Sequence, residues 1–323
     1  MTRVGIRCDA GPAIGVGHLI RCLSLAEELT GRGAHVEIIG DLGGLAWAEQ
    51  EVAARALAVT PCPGSPDGLA DLAGRRGLTH MVLDSYTLDS RCAARLRERG
   101  VRVLAIVDGD RRGQDADLFL DQNLGAESAQ VAQLAGLRYA LLRDVVRQAL
   151  PMAASPEGDV PRVLCFFGGT DAGAVAPVIT RLLVRTGVPF EATVITTAPG
   201  SLEVDRACPG QAFTVIPPTT RLPYLIGAAD LVVTAAGSAM WEVLYLGRAA
   251  ALVWVAGNQV PGYREMVRRG LAAGLGQVRE LDDPEPLRTL LTSADTRRRL
   301  RAGGAGLVDG KGRERVADAL LAL

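Results

Sequence analysis

The sequence predicts an α/β protein built as two doubly wound parallel sheets, and three observations carry that expectation. Short β-rich apolar runs alternate with stretches whose apolar residues recur at helical spacing, the pattern of βαβ units with helices on both faces of a sheet. That rhythm breaks once, at residues 149–161, "ALPMAASPEGDVP", where three prolines among polar residues read as a linker. A chain of 323 residues also suits two domains at roughly 100–200 residues each. The expected division is therefore 1–150 and 151–323, the second part ending in a closing helix.

In chain order, residues 4–8 read as a buried strand, and residues 18–29 carry Leu19, Leu23, Ala26 and Leu29 on one helical face, with Gly31 and Gly33 as the stop. Strands follow at 35–39, 81–84, 101–107 and 118–120, with a helix at 90–99. After the linker, strands are expected at 163–167, 192–197, 213–216, 231–234 and 250–255, with helices at 174–185 and 238–246. The tail 313–323 has Val316, Ala319 and Leu320 at helical spacing. The basic run at 296–301, "TRRRLR", reads as a solvated helix face rather than a nucleic-acid patch.

Composition narrows the function classes. Apolar residues make up 48% and charged residues 22%, which is globular composition, and 35 basic against 36 acidic residues give no overall field to recruit nucleic acid or an anionic membrane. Small molecules are the expected partners. No apolar run approaches the ~18 residues of a spanning helix, and the opening "MTRVGIRCD" is charged, so a cytoplasmic location is expected. Six cysteines are scattered with no C-x-x-C pair and no histidines at metal spacing, so they read as buried thiols.

In open α/β sheets ligands bind beyond the carboxyl ends of strands, which directs attention to three loops. The first, "AGPAIGVGHLIRC" at 10–22, places Gly11, Gly15 and Gly17 before His18 at a helix start. A dinucleotide fingerprint would need G-x-G-x-x-G, but Ile20 stands where close packing demands a small residue. His18 lies beside the positive end of a helix, which disfavours an imidazolium, and a neutral imidazole at a ligand-facing loop can act as a general base. A capping or core histidine is the plainer alternative. His35 and His80, at strand starts, read as structural. The second loop, "FFGGTDAG" at 166–173, offers Gly168 and Gly169 for close backbone approach and Thr170 or Asp171 as a helix cap. In the third, at 232–247, Ser238 is the expected N-cap after Gly237; first-turn amides could hold a diphosphate, and Glu242 could accept from ribose hydroxyls or simply be a solvated glutamate.

Read together, these segments resemble the pseudaminic-acid-pathway nucleotide-sugar hydrolases and the spore-coat-polysaccharide (PseG/SpsG-type) proteins, relatives of the MurG-like glycosyltransferases. The resemblance runs in order through "IRCDAGPAIGVGHLIRCLSLAEEL" at 6–29, "LDSYTLD" at 83–89, "IVDG" at 106–109, "DLFLDQNLG" at 117–125, "YALLR" at 139–143, "FGGTD" at 167–171, "GSAMWEVLYLG" at 237–247 and "GNQ" at 257–259. It implies a GT-B architecture, two Rossmann-like domains facing a cleft, with no cofactor. It assigns His18 as the base that activates the attacking group. Arg7, Asp9, Gly17 and Arg21 would shape the first-domain side, Asp84 and Tyr86 would line the sugar site, and Asn258 and Gln259 would face the sugar or diphosphate. Gly168, Gly169, Thr170, Gly237, Ser238 and Glu242 would bind the nucleotide, expected to be a UDP-sugar.

The implied reaction cleaves the anomeric C–O bond with nucleoside diphosphate leaving. Water as acceptor makes a hydrolase; a small-molecule hydroxyl or amine makes a glycosyltransferase, and the sequence separates the two poorly. A sugar-nucleotide-binding protein without catalysis is a third reading, favoured if His18 were buried away from the ligand. The chain departs from the family pattern where Gly109 follows Asp108 in place of a second acid. Asp108-Gly109-Asp110 also spells D-x-D, the form of a metal-binding carboxylate pair, but helix N-termini at Gly237 and Ser238 offer diphosphate stabilisation without a metal. No metal is expected.

Overall fold

The computed structural model describes residues 1–12, 14–127, 132–150, 159–169, 171, 173–202 and 208–323. Most of the expected linker, and Thr170 of the second glycine loop, lie outside the described residues. The chain divides into two compact units, one of Met1–Asp144 with Asp309–Leu323, the other of Val145–Val308.

The first unit runs β1 (Arg3–Cys8), α1 (Gly17–Gly31), β2 (His35–Ile39), α2 (Ala46–Ala53), β3 (Ala58–Thr60), α3 (Pro66–Arg76), β4 (His80–Asp84), α4 (Cys92–Glu98), β5 (Arg102–Ile106), β6 (Leu118–Asp121) and β7 (Gln133–Ala135). Its strands form one parallel sheet in the order β3-β2-β1-β4-β5-β6-β7. Strands of such a sheet are covered on both faces, so they are apolar nearly throughout. Val4, Ile6 and Cys8 of β1 and Val82 of β4 are wholly buried, and α1 packs Leu19, Cys22, Leu23, Ala26 and Leu29 into the same core. Helix α5 (Asp144–Ala149) starts where the chain leaves this unit.

The second unit runs β8 (Arg162–Phe166), α6 (Val175–Arg185), β9 (Phe190–Ile195), β10 (Gln211–Ile216), α7 (Leu222–Ala228), β11 (Leu231–Ala235), α8 (Ala239–Tyr245), β12 (Ala249–Trp254), α9 (Val260–Arg268), β13 (Ala273–Gln277), α10 (Glu285–Thr292) and α11 (Ala294–Gly304). The sheet is again parallel, ordered β10-β9-β8-β11-β12-β13. Two doubly wound parallel sheets are thus the architecture, as the alternation predicts. No helix is long and apolar enough to cross a membrane among the described residues.

Two expectations need correction. The tail helix α12 (Gly312–Leu321) belongs to the first unit, not to residues 151–323: Val316, Ala317 and Leu320 join the core that holds α1. Buried Arg313 reaches Glu27 at 3.0 Å and Asp144 at 2.5 Å, and Arg32 of the chain just after α1 reaches Asp318 at 2.5 Å. Gly312 is required there because a Cβ would run into the carbonyl of Ala140. The basic run is not solvated throughout either. Arg297 of α11 is 4% exposed and donates to the carbonyls of Leu290 and Leu291 at 2.6 and 2.9 Å, closing the end of α10.

The described cysteines are free, with Cys8, Cys22, Cys92 and Cys165 buried. Burial pushes the Cys165 thiol up to about 12 and the Cys92 thiol up to about 11, which suits inert packing groups.

Candidate active site

All strands of the first sheet point the same way, so β1, β4, β5 and β6, which lie side by side, end at one edge. Each delivers polar residues there. After β1 the chain makes a tight reversal in which Gly11 and Gly15 exchange amide hydrogen bonds of 3.1 and 2.8 Å, with Gly15 at φ +75°, a conformation glycine adopts without strain. Helix α1 then starts at Gly17 with no side-chain cap, and His18 occupies its first turn.

Asp84 is the last residue of β4, and its carboxylate is the hub. His18 Nδ1 lies 2.6 Å from Asp84 Oδ1, while Arg21, one turn further along α1, donates Nη2 to Oδ1 and Nε to Oδ2, each at 2.6 Å. The Cys22 thiol adds a 3.5 Å contact to Oδ2. Burial alone would push the Asp84 carboxyl up, but the Arg21 charge and the Arg21 and His18 hydrogen bonds outweigh it and hold the group below its ordinary value. A carboxylate only accepts, so His18 presents Nδ1–H to it and the lone pair of the neutral ring is on Nε2. That is the arrangement of a general base oriented by an acid.

Beyond β5, Asp108 accepts from Arg21 Nη1 at 2.9 Å and Nη2 at 3.2 Å, from Tyr86 Oη at 2.5 Å and from Asn123 Nδ2 at 2.8 Å. Burial would raise its carboxyl, but Arg21 first, then Tyr86 and Asn123, drive it far below the usual carboxylate range. Asn123 also donates to Asp121 at the end of β6, and Asp121 in turn accepts the Gly109 amide at 2.8 Å. The Tyr86 ring packs edge-on to His18 with centroids 4.6 Å apart, and the Arg112 guanidinium lies 4.9 Å over the same ring.

The structure therefore brings together His18, Arg21, Asp84 and Tyr86, but not all in the expected roles. Asp84 was expected to line the sugar site; its side chain is 0% exposed, against 12% for His18, so it stands behind the histidine. Tyr86, at 46%, is the exposed member. Arg7 and Asp9 pair with each other at 2.7 Å, and Asp9 also accepts the Asp41 amide, so they brace the exits of β1 and β2. Both oxygens of Asp108 take donors, and Asp110 accepts the Arg112 amide at 2.8 Å. Among the described residues no group of three or more His, Cys, Asp and Glu side chains is arranged to hold a metal ion. Sequence reading missed Asn123, Asp121 and Arg112, although "DQN" directly after a strand was a signal for the first two. His35 and His80 open β2 and β4 at the opposite edge.

In the second unit, the neighbouring strands β8, β11 and β12 likewise end at one edge. Gly168 turns there with φ +80° and Gly169 follows. Asp171 caps α6, accepting the amides of Val175 and Ala176 at 2.9 and 3.2 Å. Ser238 occupies the N-cap position of α8, as expected, but its side chain makes no cap bond, and Glu242 is buried rather than solvated. Gln259 spends its Oε1 on the Val255 amide at 2.8 Å, bracing the loop after β12, whereas Asn258 is exposed.

No protein-family model matches the chain, and no curated protein matches it in sequence. Solved structures do. MurG of Acinetobacter baumannii is 14% identical with a TM-score of 0.76, 100% of each chain being covered. The fold is that of the GT-B glycosyltransferases. The spinosyn rhamnosyltransferase SpnG is similar at 14% identity and TM-score 0.64 over 100% of this chain and 96% of that one. SsfS6, a glycosyltransferase of Streptomyces sp. SF2575 solved with thymidine diphosphate, gives 15% and 0.65 over 98% and 99%.

Proposed function

We propose that this GT-B chain is a glycosyltransferase, passing a sugar from a nucleoside diphosphate to a small-molecule hydroxyl or amine with His18 as the general base. The observation that carries this reading is the 2.6 Å contact between His18 Nδ1 and buried Asp84, which commits the ring's other nitrogen to receiving a proton. In that role Nε2 takes the acceptor's proton as its oxygen or nitrogen attacks the anomeric carbon, and the diphosphate departs with the electrons of the broken C–O bond. Asp84 steadies the imidazolium that forms, and Arg21 keeps Asp84 ionised. Tyr86 contacts the sugar or acceptor, with Gly17 contributing backbone beside it; Arg7 and Asp9 support the loop from behind.

The donor belongs to the second unit in this reading. Gly168, Gly169, Gly237 and Ser238 lie on loops that follow its strands, where backbone amides suit a diphosphate; Thr170 is proposed to join them, and Glu242 would take ribose hydroxyls. Asn258 and Gln259 would add contacts to the sugar or diphosphate, Gln259 through its amide nitrogen. The neighbours' ligand, thymidine diphosphate, makes a thymidine donor as fitting as the uridine donor implied by the sequence resemblance. The resemblance to nucleotide-sugar hydrolases of the PseG/SpsG type rests on the same histidine motif, with water as acceptor.

Incubating the protein with a panel of UDP- and dTDP-sugars, with and without hydroxyl- and amine-bearing acceptors, and identifying products by mass spectrometry tests this reading. Acceptor-dependent glycoside is the expected product. Free sugar and nucleoside diphosphate formed equally without acceptor would make the enzyme a hydrolase, and binding with no turnover would leave a sugar-nucleotide-binding protein.

A further inference from the structure

Beyond β5 the chain turns sharply, and three residues of that turn lie in the left-handed region: Gly109 at φ +81°, Arg112 at +51° and Gly113 at +69°. Glycine takes that conformation freely, whereas a residue with a Cβ takes it at a cost. Glycine stands at two of the positions and arginine at the third, so Arg112 is held there against its backbone preference. Asp110 holds it, accepting the Arg112 amide at 2.8 Å.

The Arg112 side chain returns from the turn to the site. Its guanidinium lies 4.9 Å over the Tyr86 ring, the same ring that meets the His18 imidazole edge-on with centroids 4.6 Å apart. Nη2 donates to the Ile106 carbonyl at 3.2 Å, and Nε and Nη1 have no acceptor among the described residues. The other arginines nearby are spent. Arg21 is shared between Asp84 and Asp108, Arg7 pairs with Asp9, and Arg111 lies 4.0 Å over Phe119 and donates to Gln133. Arg112 forms no ion pair among the described residues, because Asp108 is taken by Arg21 and Asp110 turns to the backbone amide of Arg112 rather than to its guanidinium. An arginine packed on an aromatic face keeps its in-plane N–H groups for a second partner, and the partner that matches them is a carboxylate or a phosphate.

We propose that Arg112 binds an oxyanion of the acceptor, so that the small molecule presented to His18 is anionic, with a carboxylate or a phosphate a few bonds from its reacting hydroxyl or amine. Arg112 and His18 touch the same ring, so one molecule lying across Tyr86 meets both. A neutral acceptor leaves the guanidinium to water; an anionic one gains charge-assisted hydrogen bonds. Arg112 thus sets which acceptor is taken and leaves the proton transfer to His18. The inference rests on His18 receiving the acceptor's proton, but the anion site is readable without turnover.

The experiment is a titration followed on the His18 and Tyr86 ring resonances at one pH and ionic strength. The chain has three histidines and five tyrosines, so His18→Asn and Tyr86→Phe assign the signals. The probes are acetate, inorganic phosphate, glucuronate and glucose 6-phosphate, with glucose and sodium chloride as controls. Saturable shifts are expected with at least one oxyanion and with neither control, and comparing glucuronate with glucose 6-phosphate tells a carboxylate site from a phosphate site. Arg112→Gly should weaken that response by about tenfold or more, the effect of losing hydrogen bonds to a charged group. Glycine takes φ +51° without strain, so this variant should melt no lower than wild type; Arg112→Gln is the second variant if it does. Arg112→Lys, which keeps the charge but not the fork, should keep the response in part. Once an acceptor is known, Arg112→Gly should raise its KM with little change in kcat or in UDP and dTDP affinity. No oxyanion shifting the rings beyond chloride, or an unchanged response in a folded Arg112→Gly or Arg112→Gln protein, overturns the proposal. So does a loss of UDP and dTDP binding in those variants without any oxyanion response, which would give the guanidinium to the donor. An Arg112-dependent oxyanion response in a protein that turns over no nucleotide sugar would uphold the anion site while rejecting the proposed function.

Discussion

At the scale of single residues, the site is organised by how charge is shared around one guanidinium. Arg21 lies between two carboxylates, and its side chain is 7% exposed, so its removal leaves Asp84 buried and uncompensated. Arg21→Met should therefore cost about 3–5 kcal/mol of stability at about pH 7, the range for breaking a buried pair from one side. The pH dependence follows from the sign of the shift. In the wild type the Asp84 and Asp108 carboxyls lie below their unfolded values, so the stability they confer is present above about pH 4 and drains away as pH falls toward the folded values. In Arg21→Met, burial of Asp84 acts unopposed and raises it, so the variant carries a penalty at neutral pH that vanishes as the carboxyl protonates. Urea unfolding at about pH 7 and about pH 4 should show the gap between the two proteins narrowing; a gap independent of pH would mean that Arg21 acts through packing alone.

His18 is the residue on which the proposed chemistry turns. Replacing it with asparagine should lower turnover by about 10²–10⁴-fold, the usual contribution of a general base. Nucleotide affinity, measured by calorimetry with UDP and dTDP, should hardly move, because the loops proposed for the donor belong to the other unit. More than about a tenth of the wild-type rate in the variant would take His18 out of the mechanism, and parallel loss of nucleotide binding would make it a structural residue.

At the scale of elements, the alternation of strand and helix was legible wherever an element had a strong period or a buried apolar run, as in β1, α1, β2 and β11. It failed where tertiary context supplies what local sequence lacks. Strand β3 is only Ala58–Thr60, and β13 is "AGLGQ", with a register shift in its partner β12 between Leu252 and Val253. The first is too short to show a period and the second is glycine-rich, and each is an edge strand of its sheet. Helix α3 was missed despite good punctuation: Ser65 accepts the Gly68 amide at 3.1 Å at its start, and Gly77 closes it at φ +64°. The tail was read correctly as a helix but its docking was not legible, because an apolar stripe says that a helix packs and not against which sheet. Asp108 was noticed only because Gly109 follows it where the motif has a second acid; the fold shows that Arg21 of α1, Tyr86 after β4 and Asn123 after β6 converge on it.

The docking of α12 is testable through its first residue. Gly312→Ala puts a methyl group against the Ala140 carbonyl and should destabilise by about 1–3 kcal/mol, the cost of overpacking a filled site. Hydrogen exchange localises the effect: α1, packed on α12, should lose protection, while β8, β11 and α6 keep theirs. Uniform loss across both units would mean that α12 governs the whole chain rather than the unit whose core it completes.

At the scale of the molecule, the question is how a nearly neutral chain, with a formal net charge of −1, would stabilise the departing diphosphate of the proposed reaction. Two solutions are general: a divalent ion held by carboxylates, or fixed amides and helix ends that need no ion. The one strand-following D-x-D, Asp108 to Asp110, is poorly suited to the first. Asp108 would have to give up Arg21, Tyr86 and Asn123 to take a metal, and Asp110 is turned to the Arg112 amide. Surrendering Arg21 would also undo the charge balance behind His18, so metal capture and base catalysis compete for the same residue. The glycine loops after β8 and β11 lie on the other sheet and carry no such conflict. Turnover should therefore be fully retained in excess EDTA, measured on whichever nucleotide sugar the panel identifies. Loss of activity on chelation, restored by magnesium or manganese, would make Asp108 and Asp110 ligands and move leaving-group stabilisation away from the second unit. In that case the metal-loaded protein should also lose the Tyr86–Asp108 hydrogen bond, visible as a change in the Tyr86 ring resonances on addition of the ion.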